Sequence, residues 1–588
     1  MQMLMNISAK APQILLITLA LCALYGLLPA SCRPSIRQVE PHYADGSNST
    51  TLFVVVHGLS GAGRMHPLRD QLLSFGDVLL LDFPAWSNAR PDDVSAQIST
   101  LVQAQSQGKN YQKIVIVGFS MGALLARRAF LEAARTGKPW STIVTRFVLL
   151  AGMNRGWSLS GPRPSDMRWH THTMYAVGAW LANLTRSASL IMSMQTGTPF
   201  VADLRLDWMR HFRQTGVEHP EVVQLLGDID EIVSAGDNED LAAAPQGDFA
   251  WLRVRGTNHR EILSYDDTSD HNIGQYRLAK VMLAATACFS DIRGQSEVLP
   301  SPSDPAVTKL VFILHGIRDL GRWSSTLESD LRKRHDVVMN GKGKLMVESM
   351  RYGYFGMGQF LMKMERDYYV RWFMDEYTEA VARYPKTKEI DFIGHSNGTY
   401  LFTRALKDYR SLNVDRAVLA GSVAPRDYAW APHFENGQVK KVRNYVAKDD
   451  LVVALLPRFF ENRPRLLFGD EIGSAGYNGF NAADHAATSG HIENFKFLTG
   501  GHGAFTEERD GISEFIIPTP GAALSGRNEK RQPNWLTVAS DYFTVALWAA
   551  MALVLVLLGI RVAEAAGSRA PFALLAYLFL LWQVLRWA

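Results

Sequence analysis

The chain has 588 residues, 47% apolar and 20% charged, with a net charge of +4. That length exceeds one ordinary domain, and so small a charge gives no footing for a nucleic-acid partner. Its three cysteines, Cys22, Cys32 and Cys288, form neither a disulfide framework nor a zinc spacing.

Residues 13–30 are almost wholly apolar, with Lys10 before them and Arg33 and Arg37 after. Residues 1–33 therefore read as a signal peptide or signal-anchor helix. Leu52–Leu59, Val78–Asp82, Ile114–Val117 and Phe147–Leu150 are continuous apolar runs, the pattern of strands buried on both faces of a parallel sheet. Helix-like segments lie between them, at Pro67–Leu73, Val94–Gln105 and Ala123–Ala134. Such alternation implies a doubly wound α/β unit over residues 50–290. A Ser-, Pro- and Gly-rich linker, 291–308, follows. The pattern then restarts at Leu310–Ile317 and continues through Ile390–Ile393 and Ala417–Ala420, so a second α/β unit is expected over residues 309–517.

A second linker, 518–540, leads to residues 541–588. Tyr542–Ile560 is uncharged, apolar and long enough to span a bilayer. Pro571–Leu585 is shorter, with Trp582 and Trp587 as interfacial anchors. Together they read as a transmembrane hairpin. Arg561 and Arg569 in its loop place that loop on the cytoplasmic side and both units on the extracytoplasmic side. The basic cluster Arg527, Lys530 and Arg531 opposes this orientation.

The chemistry centres on Ile114-Val115-Ile116-Val117-Gly118-Phe119-Ser120-Met121-Gly122, a strand followed by G-x-S-x-G and a helix-like run. That setting makes the motif a nucleophile elbow. It recurs as Gly394-His395-Ser396-Asn397-Gly398 after Ile390–Ile393. A serine hydroxyl needs a base to take its proton, and the base needs a carboxylate to fix its tautomer. Downstream of Ser120 the candidates are Asp230, with Asp228 as rival, and His259 after the strand Trp251–Arg255, with His271 as rival. His271 closes an acidic stretch, Asp266–Asp270, read as a solvated loop in preference to a metal cluster. Downstream of Ser396 they are Asp450, with the same offset to an aliphatic pair as Asp230, and His502. Asp449, His485 and His491 are less well placed. Oxyanion donors are expected from the backbone N–H of Met121 and Asn397, after each serine, and of Leu59 and Ile317, after each strand-ending His-Gly.

These residues resemble the α/β-hydrolase superfamily, in particular its lipases and esterases, across Leu52–Cys288 and again across Leu310–Phe515. The resemblance implies two tandem α/β-hydrolase domains with terminal transmembrane helices. It assigns Ser120, Asp230 and His259, and Ser396, Asp450 and His502, as nucleophile, acid and base. The wide gap between Ser120 and Asp230 points to an insertion at about 154–213, with Trp157, Trp169, Trp180, Met192, Met194, Trp208 and Met209. Such a segment suits a cap over an apolar pocket, or else helix faces packed on the sheet. A comparable stretch, Tyr352 to Met374, precedes Ser396.

The expected activity is hydrolysis of a carboxylic, lipid-like ester by a membrane-anchored enzyme, through an acyl-enzyme and with no metal or organic cofactor. Acyl transfer through the same triad, or a scaffold with one or both units non-catalytic, are the alternatives. The sequence fixes no oligomeric state.

Overall fold

The computed structural model describes residues 39–46, 50–158, 189–233, 247–266, 271–297, 303–317, 322–340, 342–352, 356–447, 449–461, 471–485, 488, 490–496, 500–520 and 535–587. The expected N-terminal apolar segment and the middle of the expected insertion, with Trp169 and Trp180, lie outside them. The chain divides into two units, 1–302 and 303–588.

The strands of the first unit are β1 (Glu40–Ala44), β2 (Thr51–Val56), β3 (Asp77–Asp82), β4 (Lys113–Phe119), β5 (Val144–Leu150), β6 (Glu221–Gly227) and β7 (Phe249–Val254). Their order is β1-β3-β2-β4-β5-β6-β7. Only β1 runs antiparallel, on β3. All six positions of β2 are buried, as a strand covered on both faces requires. The helices α1 (His66–Leu72), α2 (Pro91–Gly108), α3 (Met121–Arg135), α4 (Pro199–Phe212) and α5 (His271–Thr286) cover the two faces. Residues of α2, α3 and α4 share one core, those of α1 and α5 the other.

Part of the expected cap is core. Trp208 and Met209 are fully buried on α4. The Trp208 ring meets Phe147 edge-on at 5.3 Å, and the Arg127 guanidinium lies 4.4 Å over it. This is helix-on-sheet packing for residues 199–212.

The second unit has β8 (Val307–Leu314), β9 (Lys344–Met350), β10 (Glu389–His395), β11 (Val414–Ala420), β12 (Val439–Val446) and β13 (Ile492–Lys496). They form a wholly parallel sheet in the order β9-β8-β10-β11-β12-β13. That order matches β3-β2-β4-β5-β6-β7 strand for strand. Among its helices are α6 (Arg322–Met339), α7 (Met357–Leu361), α8 (Lys363–Arg383), α9 (Asn397–Asp408), α10 (Leu451–Glu461) and α11 (Arg509–Ile516).

The C-terminal residues form α12 (Trp535–Ala566) and α13 (Ala570–Trp587). The two lie side by side about the turn Gly567–Arg569. The Tyr577 hydroxyl donates to the Leu555 carbonyl at 2.8 Å. One stretch, Trp548–Val584, is long and apolar enough to cross a membrane.

Trp208 fills the space between β5, α3 and α4, so Trp208→Ala leaves a large void. It is expected to lower the stability of the first unit by about 3–5 kcal/mol, read as a drop in urea midpoint at unchanged slope.

Candidate active site

The turn after β4 forces Ser120 to φ 53°, ψ −122°. The turn after β10 holds Ser396 at φ 52°, ψ −117°. A side chain is strained at positive φ, and close packing against glycine maintains each serine there. A Cβ on Gly58 would lie 2.8 Å from the Ser120 Cβ, and one on Gly316 2.7 Å from the Ser396 Cβ. A Cβ on Gly122 would run into the carbonyl oxygens of Val56 and His57, and one on Gly398 into that of Leu314. The glycines of both motifs are therefore needed for the approach of backbone to backbone.

In the first unit the Ser120 hydroxyl meets His259 Nε2 at 2.9 Å. His259 Nδ1 lies 3.0 Å from Asp230 Oδ2 and 3.2 Å from Oδ1. The Asp230 Oδ1 also accepts from the N–H groups of Ile232 and Val233, each at 2.9 Å. These donors fix the carboxylate, whose side chain is only 1% exposed, as His259's is 6%. The rival Asp228 points elsewhere: its Oδ1 accepts from Thr257 N–H at 3.3 Å, bracing the loop that carries His259. Of the acidic loop before His271, residues 267–270 lie outside the described residues.

The second unit places the same three residue types together but leaves one link open. His502 Nδ1 is 2.8 Å from Asp450 Oδ2, and Asp450 is fully buried. Val453 N–H donates to Asp450 Oδ1 at 3.0 Å. No hydrogen bond joins His502 to Ser396. Instead the His502 carbonyl lies 3.2 Å from His395 Nε2, and the two rings sit 4.7 Å apart. Asp449, His485 and His491 are exposed, and His491 Nδ1 is taken by the Lys440 carbonyl at 2.9 Å.

The His-Gly pair has a role that its spacing did not reveal. His57 Nδ1 donates to the Gly58 carbonyl at 2.6 Å, and His315 Nδ1 to the Gly316 carbonyl at 2.9 Å. In a trans peptide the C=O and N–H point in opposite directions. Each histidine thus turns the N–H of Leu59, or of Ile317, away from itself. Phe83 N–H donates to His57 Nε2 at 3.0 Å, which requires the neutral ring. Asp82 Oδ1 sits 3.1 Å from the same nitrogen and favours the charged form. Burial outweighs it and holds the His57 pKa below its ordinary value. The ring stacks on Phe83 at 4.0 Å, and His315 stacks on Tyr352 at 4.2 Å.

Sequence reasoning missed Met153 and Phe83, and gave Tyr352 only as the start of an apolar stretch. Met153 Sδ lies 3.1 Å from Ser120 Oγ. Tyr352 hydroxyl donates to the His315 carbonyl at 2.7 Å and accepts from Asn397 Nδ2 at 3.2 Å. Met153 and Tyr352 each follow a strand by two or three residues, and Phe83 directly follows one. No local motif marks them.

Residues 53–287 match the model of the alpha/beta hydrolase family, and that unit has an α/β fold with a mainly parallel sheet. No curated protein matches the chain. Among similar solved structures is carboxyl esterase 2 from the mycorrhizal fungus Tuber melanosporum, at 18% identity and TM-score 0.30, covering 43% of this chain and 87% of that one. An enol-lactonase from Burkholderia xenovorans LB400 is similar at 16% identity and TM-score 0.28, covering 42% and 98%. A lipase-esterase related protein from Clostridium acetobutylicum ATCC 824 is similar at 12% identity and TM-score 0.28, covering 41% and 98%.

The lowered His57 pKa has a consequence for stability. Below its ordinary value of 6.5 the unfolded chain takes up a proton that the folded chain resists. The contribution is therefore complete above about pH 6.5 and is lost as pH falls toward the folded pKa. Urea midpoints of wild type are expected to fall on acidification through this window, and His57→Gln to show a shallower fall.

Proposed function

We propose that the first unit is a serine hydrolase of carboxylic esters. The observation that carries this reading is the unbroken chain of hydrogen bonds from Ser120 through His259 to Asp230. Ser120 Oγ attacks the ester carbonyl while His259 Nε2 takes its proton. Asp230 holds Nδ1–H and stabilises the imidazolium that forms. The N–H groups of Leu59 and Met121 receive the oxyanion. His259 then returns the proton to the leaving alkoxide, and water, activated by the same base, resolves the acyl-enzyme.

The second unit is read as a tandem domain of the same fold, with Ser396, Asp450 and His502 in the corresponding roles and Ile317 and Asn397 as oxyanion donors. The shared strand order and the paired His-Gly and G-x-S-x-G turns support this. The open link between His502 and Ser396 favours a second reading for this unit alone, that of a non-catalytic scaffold. Catalytic hydrogen bonds are often long before substrate binds, so the two readings divide on reactivity. The C-terminal hairpin is read as spanning a membrane, with both units extracytoplasmic, and a lipid-like ester is the substrate class that an anchored enzyme would meet.

Labelling of the full chain with a fluorophosphonate probe tests both units. Ser120→Ala is expected to remove the label of the first unit and Ser396→Ala that of the second. An unlabelled wild type overturns the hydrolase reading. Label lost entirely in Ser120→Ala assigns the second unit as scaffold. Asp230→Asn is expected to lower first-unit ester turnover on the order of 10³–10⁴-fold, measured in the Ser396→Ala background.

A further inference from the structure

The two C-terminal helices meet the second unit at one particular edge of its sheet. His315 follows β8, Ser396 follows β10 and Asp450 follows β12, so the candidate site lies at the C-terminal ends of the strands. Helix α10 starts at Leu451, the residue next to Asp450, and α7 starts soon after Tyr352. Helix α12 packs on α10, and α13 packs on α7. The hairpin and the candidate site thus share an edge.

The same edge carries an unusual set of exposed apolar side chains. Leu451 is 50% exposed, Val452 45%, Leu455 36%, Met362 43% and Met364 47%. Large apolar groups clustered on a surface mark an interaction site. What covers this one follows from its depth against the hairpin. The Trp548 indole N–H donates to the Leu455 carbonyl at 3.4 Å. Arg561 and Glu564 mark the far interface, and from Trp548 to Glu564 the helix rises about 24 Å, within about one turn of the roughly 30 Å of a hydrocarbon core. Trp548 therefore falls at the near interface, the depth that tryptophan prefers, and Leu455 is at the same level. Lys363, between the two methionines, carries a charge that limits the edge to this depth and keeps it from the interior of the bilayer.

We infer that the edge of the second unit bearing Ser396 rests on the bilayer that holds the hairpin, with Leu451, Val452, Leu455, Met362 and Met364 seated among its outer acyl chains. The strand ends that carry Ser396 then face the membrane and not open water. The inference rests on the membrane-spanning reading of the hairpin.

Depth-dependent quenching separates the two claims. In the full chain with Cys22, Cys32 and Cys288 replaced by serine, single cysteines at Leu455, Leu578 and Val337 are labelled with an environment-sensitive fluorophore. The protein is placed in phosphatidylcholine vesicles containing phosphatidylcholine spin-labelled either near the headgroup or deep in the chain. Val337 is 80% exposed near the end of α6, which links two parallel strands and so ends at the opposite edge of the sheet. Leu578 is near the middle of α13. The expected result is loss of emission at Leu455 with the shallow quencher, at Leu578 with the deep one, and at Val337 with neither. Quenching at Leu578 without quenching at Leu455 overturns the inference and leaves the anchor standing. No quenching at Leu578 removes the anchor, and the inference with it. Quenching at Val337 equal to that at Leu455 overturns the orientation.

Discussion

The candidate sites depend on a serine held where a side chain does not relax. At φ near +53° Ser120 carries strain of order 1–3 kcal/mol, and the surrounding backbone must supply it. It does so by contact. The carbonyls of Val56 and His57 press on Gly122 from one side, and Gly58 abuts the serine from the other. The same clamp recurs around Ser396. The result is a hydroxyl aimed away from the sheet at the end of a buried strand, where a histidine from a distant loop can meet it. The placing of β2 beside β4 and the glycines serve that one requirement.

Much of this was legible from the chain because the determinants are local. A β-branched run, a G-x-S-x-G and an aliphatic helix start form one continuous signal, and β2, β4, β8 and β10 were marked by it. Asp230 and Asp450 were separable from their neighbours by the offset to an aliphatic pair, which supplies the backbone N–H donors on each carboxylate. Other elements carried no such signal. β1 reads Glu-Pro-His-Tyr-Ala and pairs only at an edge, so its polarity hid it. β9 carries Lys344, Glu348 and Ser349 around a short apolar core because it too is an edge. β13 reads Ile-Glu-Asn-Phe-Lys, too short and too polar to mark a strand, and its register is set by pairing with β12. The aromatic insertion was ambiguous for a physical reason: Trp208 serves a sheet-packed helix with the same composition that a cap would use.

The two sites differ in the polarity around the serine more than in the geometry of the serine itself. In the first unit His57 stacks on Phe83, and a thioether touches Ser120. In the second unit the stacked ring is Tyr352, whose hydroxyl ties the His315 carbonyl to the Asn397 side chain. A wall of apolar groups in one unit is replaced by a hydrogen-bonded pair in the other. Two copies of one strand order thus present different surfaces around their serines.

The first sheet ends with β1 laid antiparallel on β3, whereas among the described residues the second ends at β9 with nothing beyond it. An uncovered terminal strand is a template for foreign strands. Arg332 occupies part of that template by donating to the Leu345 carbonyl at 3.1 Å, and Lys344 and Glu348 add charge along it. The burden of keeping this unit from sheet-to-sheet association during synthesis therefore falls on a few long polar side chains. In the first unit the corresponding edge is β1, where Pro41 and exposed polar residues limit further pairing.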